Sequence, residues 1–106
     1  MTGILGDFPT VTLPVATLLG AGARGQIYAP PVDVAVYIED ARRQVRTATG
    51  QTVISETTLY DDNLTDAALF KAGSLVTMPD RKAFVITVRR RIVGDPAVDH
   101  LEIALT

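Results

Sequence analysis

The strongest constraint on this chain is a two-residue apolar period that returns along most of its length. Val32, Val34, Val36 and Ile38 alternate with Asp33, Ala35, Tyr37 and Glu39, the spacing that places one set of side chains on one face of a pleated strand. Phe84, Ile86 and Val88 alternate in the same way with Val85, Thr87 and Arg89, and Leu101, Ile103 and Leu105 with His100, Glu102 and Ala104. Residues 11–18, 52–60 and 74–78 carry weaker strand signals, and Pro14 requires the first of them to lie at an edge or a bulge. Turn chemistry at Thr49-Gly50, Ala72-Gly73, Pro79-Asp80 and Gly94-Asp95-Pro96 separates these segments. About six short strands so punctuated predict an all-β fold, a small antiparallel barrel or sandwich with long loops.

Two stretches break the period. Residues 20–31 (GAGARGQIYAPP) read as a long loop, and residues 61–72 have the composition of a short helix with Leu64, Ala68 and Leu69 on one side. With 106 residues and no internal repeat, a second core would leave both halves too small to fold, so one domain spanning 1–106 is expected. Its apolar share of 47% exceeds what one small core uses, which points to burial against other subunits. Tyr28, Pro30, Pro31, Leu64 and Phe70 are the candidate interface residues.

Charge and chemistry remove several functions. Ten basic against twelve acidic residues give −2, too balanced for the strongly basic surface of a protein that grips phosphates directly, so DNA is not an obvious ligand. The absence of cysteine excludes disulfides and thiolate metal sites and favours an intracellular chain. The most apolar run, residues 13–23, is too short to span a membrane and is broken by Pro14, Gly20 and Gly22. His100 is the single histidine and reads as a structural partner of Asp99 at a strand entry. No serine carries a nucleophile signature, and no enzyme or cofactor is expected. Asp61, Asp62 and Asp66 offer oxygens to Ca²⁺ but lack the spacing of a cation-wrapping loop, and residues 20–25 lack the Lys-Ser/Thr of a phosphate loop. Asn63-Leu64-Thr65 matches a glycosylation sequon that only a secretory route would use.

Two arginine clusters remain. Alternation sends Arg89 and Arg91 to one face and Arg90 to the other. Arg42, Arg43 and Arg46 sit in one arm of a hairpin, residues 40–56, that turns at Ala48-Thr49-Gly50. Flanked by Glu39, Asp40 and Glu56, such an arm could dock an acidic neighbour, meet DNA in a channel, or be a solvated surface.

Read in order, three segments resemble the head-to-tail stopper (head completion, neck) proteins of long-tailed phages. They are YIEDARRQVR followed by TGQTVISE (37–46 and 49–56); Thr58-Leu59-Tyr60, a loop and GSLVTMP (73–79); and FVITVRR (84–90) followed by Pro96 and the ending DHLEIAL (99–105). The resemblance covers residues 32–106, while residues 1–31 depart from the pattern. It implies a virion protein forming a homo-oligomeric ring, with six subunits as the expected count, between the portal and adaptor rings and the tail terminator or tail tube. It further implies that a projecting loop, here residues 39–51, narrows a lumen that carries or retains DNA. The alternatives are a tail terminator or tail completion ring, which typically pairs a sheet with helices, and a small SH3-like or OB-like barrel that binds nucleic acid.

Overall fold

A computed structural model of the chain describes residues 9–47, 49–92, 94 and 99–106. Among these described residues eight strands are formed: β1 (Val11–Ala16), β2 (Leu18–Gly22), β3 (Gly25–Tyr28), β4 (Val32–Arg46), β5 (Thr52–Asp61), β6 (Leu75–Thr77), β7 (Lys82–Arg91) and β8 (His100–Leu105), with one 3₁₀ helix, Leu64–Phe70. Six of them close a barrel in the order β1-β4-β5-β8-β7-β6, and β2 and β3 make a separate two-stranded sheet. Every pairing is antiparallel. The expected all-β barrel is therefore present. The turn expected at Asp95-Pro96 lies outside the described residues.

The period of two fills the barrel. Leu13 and Val15, Val34 and Val36, Leu59, Val76, and Leu101, Ile103 and Leu105 all face inward and are buried. Pro14 lies opposite Asp33 of β4, one residue before β1 begins to pair with β6 at Val15, so β1 is an edge on that side where proline stands. On β7 the expected face is corrected. Ala83 and Val85 point into the core and Phe84 is exposed. The ladder to β8 then slips between Val85 and Thr87, an extra residue that reverses the alternation and brings Val88 against the core.

Residues 20–31 are not the expected loop. Gly22 pairs with Gly25 across a two-residue turn, Ala23-Arg24, and the ladder continues to Leu18 opposite Tyr28. Glycine here supplies the turn, with φ +112° at Gly25, rather than breaking the strands. This hairpin is tied to the barrel where Thr17 Oγ1 donates to Leu69 O (2.9 Å) and Leu18 N–H donates to the buried Ser74 Oγ (2.9 Å). Tyr28 is half-buried, and Pro30 and Pro31 are exposed in the link to β4.

The helix also departs from expectation. Its 3₁₀ winding repeats every three residues, so Leu64, Ala67 and Phe70 share the inward side and Ala68 is exposed. Asn63 caps it, its Oδ1 accepting from the Thr65 N–H (3.2 Å) and hydroxyl (2.6 Å). Phe70, expected at an interface, is instead fully buried in the barrel's own core, and Leu64 packs partly against that core. The helix packs against β7, β8 and β1 and so carries Phe70 into the barrel core.

After the helix, Gly73 turns the chain with φ +89°, and a Cβ there would stand 2.7 Å from Leu18 Cδ2. Both effects oppose a side chain. Gly73→Ala is expected to cost about 1–3 kcal/mol, read from urea unfolding, whereas Gly50→Ala, where a Cβ meets nothing within 4 Å, costs less.

Candidate functional site: the arm and the outer wall

β4 plays two roles. Residues 32–36 pair with β1 and close the barrel, whereas from Tyr37 onward the strand pairs only with β5. β5 in turn meets β8 only from Thr57. Arg43–Arg46 and Thr52–Ser55 therefore pair with each other alone, as a two-stranded arm running past the wall. The step in register between Asp40 and Arg43 marks the root of the arm, where a bulge bends and twists a strand.

Side chains fix that root. Thr57 Oγ1 donates to Asp40 Oδ1 (2.8 Å) and accepts from Arg81 Nη2 (2.7 Å), while Arg81 Nη1 donates to Thr106 O (2.9 Å). The buried Ser55 hydroxyl lies within donating distance of Thr57 O (3.0 Å) and Leu105 O (2.9 Å). At the tip, Thr47 N–H donates to Gln51 O (2.8 Å) and Gly50 N–H to Thr47 O (3.0 Å), with Gly50 at φ +90° and the Thr47 and Thr49 hydroxyls 3.0 Å apart. Thr49-Gly50 is thus the turn the sequence marks.

The arginines of the arm differ. Arg42 meets Glu56 at 3.2 Å, Arg43 Nη2 donates to Glu39 Oε1 at 2.6 Å, and Arg46 has no ionic partner among the described residues. Pairs this exposed add little stability; what they do is set charge along the arm.

Register then brings the arm's base into line with the outside of the wall. One row across it reads Tyr37, Tyr60, Glu102, Arg89, and the next reads Glu39, Thr58, Ala104, Thr87. Each lies on the pleat opposite the core residues Leu59 and Ile103. Tyr60 is central: its ring lies 6.0 Å from both Tyr37 and His100, and its hydroxyl donates to Glu39 Oε1 at 3.0 Å. Burial, then the hydrogen bond and the charge of Glu39, raise its phenol above the usual range, with Arg43 acting in the opposite sense. Arg91 Nε bonds Glu102 Oε2, and His100 Nε2 lies 3.8 Å from the same oxygen. The two arginine clusters, 43 positions apart at their nearest members, so converge: Arg43 and Arg46 of the arm and Arg89 and Arg91 of β7 line one cleft of about 230 Å³. Arg90, opposite Leu101, belongs to the other pleat, as alternation predicts.

Thr58 and Tyr60 escaped the sequence reading. The signal was present in the half of the β5 alternation that does not face the core, but polar residues on an outer face are ordinarily just solvated.

The acidic trio lies apart from this cleft, between β5 and the helix. Asp61 is buried, and its Oδ1 accepts from Asn63 N–H at 2.9 Å. Burial, with Asp66 and Asp62 close by, pushes its carboxyl up to about 8. Among the described residues no three His, Cys, Asp or Glu side chains are grouped to hold a metal ion, and no helix is long and apolar enough to cross a membrane. No protein-family model matches this chain, and comparison with curated proteins returns no match.

Proposed function

We propose that this chain is a structural subunit of a phage neck, of the head-to-tail stopper kind, acting as a ring between the portal and adaptor and the tail. The observation that supports this reading is a closed barrel bearing a two-stranded arm, pinned at Asp40 and Thr57, with Arg42, Arg43 and Arg46 along one strand. A rigid wall with a projecting charged arm is what a ring needs to narrow a lumen without unfolding. The charge on the arm is mixed, with Glu39, Asp40 and Glu56 beside the arginines. An all-basic element would hold phosphates too tightly for DNA to pass.

Ring formation also needs apolar contact area. The β2–β3 hairpin stands outside the barrel with Leu19 60% and Ile27 50% exposed, next to Tyr28, Pro30 and Pro31, and it is the surface assigned to the neighbouring subunit. The action is steric and electrostatic, and no bond is made or broken. Against the tail-terminator alternative stands the helix content, a single seven-residue 3₁₀ turn among the described residues.

The test is light scattering and electron microscopy of the purified chain, alone and with particles displaying portal and adaptor. A ring near six times the 11.3 kDa of one chain, broken by Leu19→Asp with Ile27→Asp, is the expected result. A stable monomer that ignores those particles sinks the reading and favours the free-standing barrel.

A further inference from the structure

We propose that the cleft between the arm and the outer wall is an oxyanion site that takes a single phosphoryl group. This goes beyond the neck reading and does not depend on it. The argument begins with charge. In a chain of formal charge −2, four arginines and one glutamate face one cleft of about 230 Å³. Arg91 occupies that glutamate, Glu102, and Arg43 is held by Glu39. Arg46 and Arg89 are left with no ionic partner among the described residues, one on each side of the cleft. Guanidinium groups present planar sets of N–H donors suited to phosphoryl oxygens.

The second observation is independent of charge. Thr58 also lines the cleft and is 3% exposed, yet its hydroxyl has no hydrogen-bond partner. A buried hydroxyl without a partner costs roughly 1–3 kcal/mol, a cost that a bound acceptor removes. Arg46 lines the cleft from the arm and Arg89 from β7, with the unpartnered Thr58 hydroxyl buried in the wall strand between them. A flat carboxylate has two oxygens to offer them, whereas a tetrahedral phosphoryl group has three or more. No aromatic side chain lines the cleft, so nothing there stacks a base. The group recognised is therefore the phosphoryl head alone, supplied either by free phosphate or by the backbone of a nucleic-acid strand.

The intact chain is titrated with inorganic phosphate at constant ionic strength, followed by amide chemical shifts, and with a fluorescent single-stranded oligonucleotide, followed by anisotropy. Shifts centred on Thr58, Arg46 and Arg89 are expected with phosphate. Arg46→Ala and Arg89→Ala, both exposed and harmless to folding, should each weaken binding roughly tenfold. Thr58→Val, equal in shape, should weaken it while leaving the melting temperature intact or raised. Phosphate binding without oligonucleotide binding supports the site and assigns it to the free anion. Oligonucleotide binding that phosphate displaces supports it and assigns it to the strand. Saturation by an oligoglutamate peptide with no response to phosphate overturns the proposal in favour of an acidic protein partner, and an absence of any saturable response overturns it outright.

Discussion

Phe70→Ala is expected to destabilise the chain by about 3–5 kcal/mol, the range for emptying a buried aromatic site. Phe70 is fully buried, the largest such side chain among the described residues, and it belongs to the central cluster with Leu59, Leu101, Ile103 and Leu105. The side chain arrives on a seven-residue helix held by its Asn63 cap and by packing. A 3₁₀ turn this short has little stability of its own. Removing the ring should therefore release the helix as well as leave a cavity. For a domain of this size the loss corresponds to a fall in melting temperature of more than ~10 °C. Ala68→Ser, on the exposed side of the same helix, should change stability by less than ~0.5 kcal/mol. If urea unfolding gave the two variants equal stability, the helix would not be seated in the barrel as described.

The second large effect is a pH dependence set by Asp61. Its carboxyl titrates near 8 in the folded chain, against an ordinary value of 3.8. A raised carboxyl is one the fold holds protonated. Between about pH 4 and pH 8 the native chain keeps a proton that the unfolded chain has released, so stability must fall as pH rises through this window. Stability contributed by the neutral acid is fully present below about pH 4 and is lost as pH passes about 8. The expected fall is of the order of 2 kcal/mol or more. Asp61→Asn retains an acceptor for the Asn63 N–H and cannot ionise. It should be more stable than the parent at pH 8–9, nearly equal at pH 4, and flatter across the range. The difference between the two curves isolates Asp61 from other titrating groups. A parent that gains stability between pH 5 and pH 8 relative to Asp61→Asn would contradict the burial of this carboxyl.

The strands that the sequence made legible were those in which one face had to be apolar. β4 and β8 follow from the period of two, β5 from its threonine and valine content, and β1 with its proline at an open edge follows from ring chemistry. What escaped were departures from the period. The extra residue in β7 exchanges Phe84 for Val85 in the core, and nothing local in Phe84-Val85-Ile86 distinguishes the two assignments, because all three are apolar. The β2–β3 hairpin was hidden by glycine, which serves a tight turn as readily as a loop. Phe70 was misplaced because a 3₁₀ period of three and an α period of 3.6 select different residues within one turn. The arm and its arginines were visible as a charged hairpin. Their approach to Arg89 and Arg91 was not, since it depends on the order β4-β5-β8-β7, which no segment encodes alone. Thr58 is the clearest instance: a threonine among threonines until its neighbours in three strands are known.

Closure of the barrel has a consequence for how this molecule can meet others. Besides the start of β1, where Val11–Pro14 pair only with β4, open main-chain edges are carried by the lone hairpins: Arg43–Arg46 with Thr52–Ser55, and β2 with β3. An open edge invites a foreign strand. The arm carries its arginines on such an edge strand, and like arms laid side by side would repel. The β2–β3 hairpin, by contrast, has a single charge, Arg24, in its turn. Of the two protrusions, one is guarded by charge against pairing with a copy of itself and the other is not.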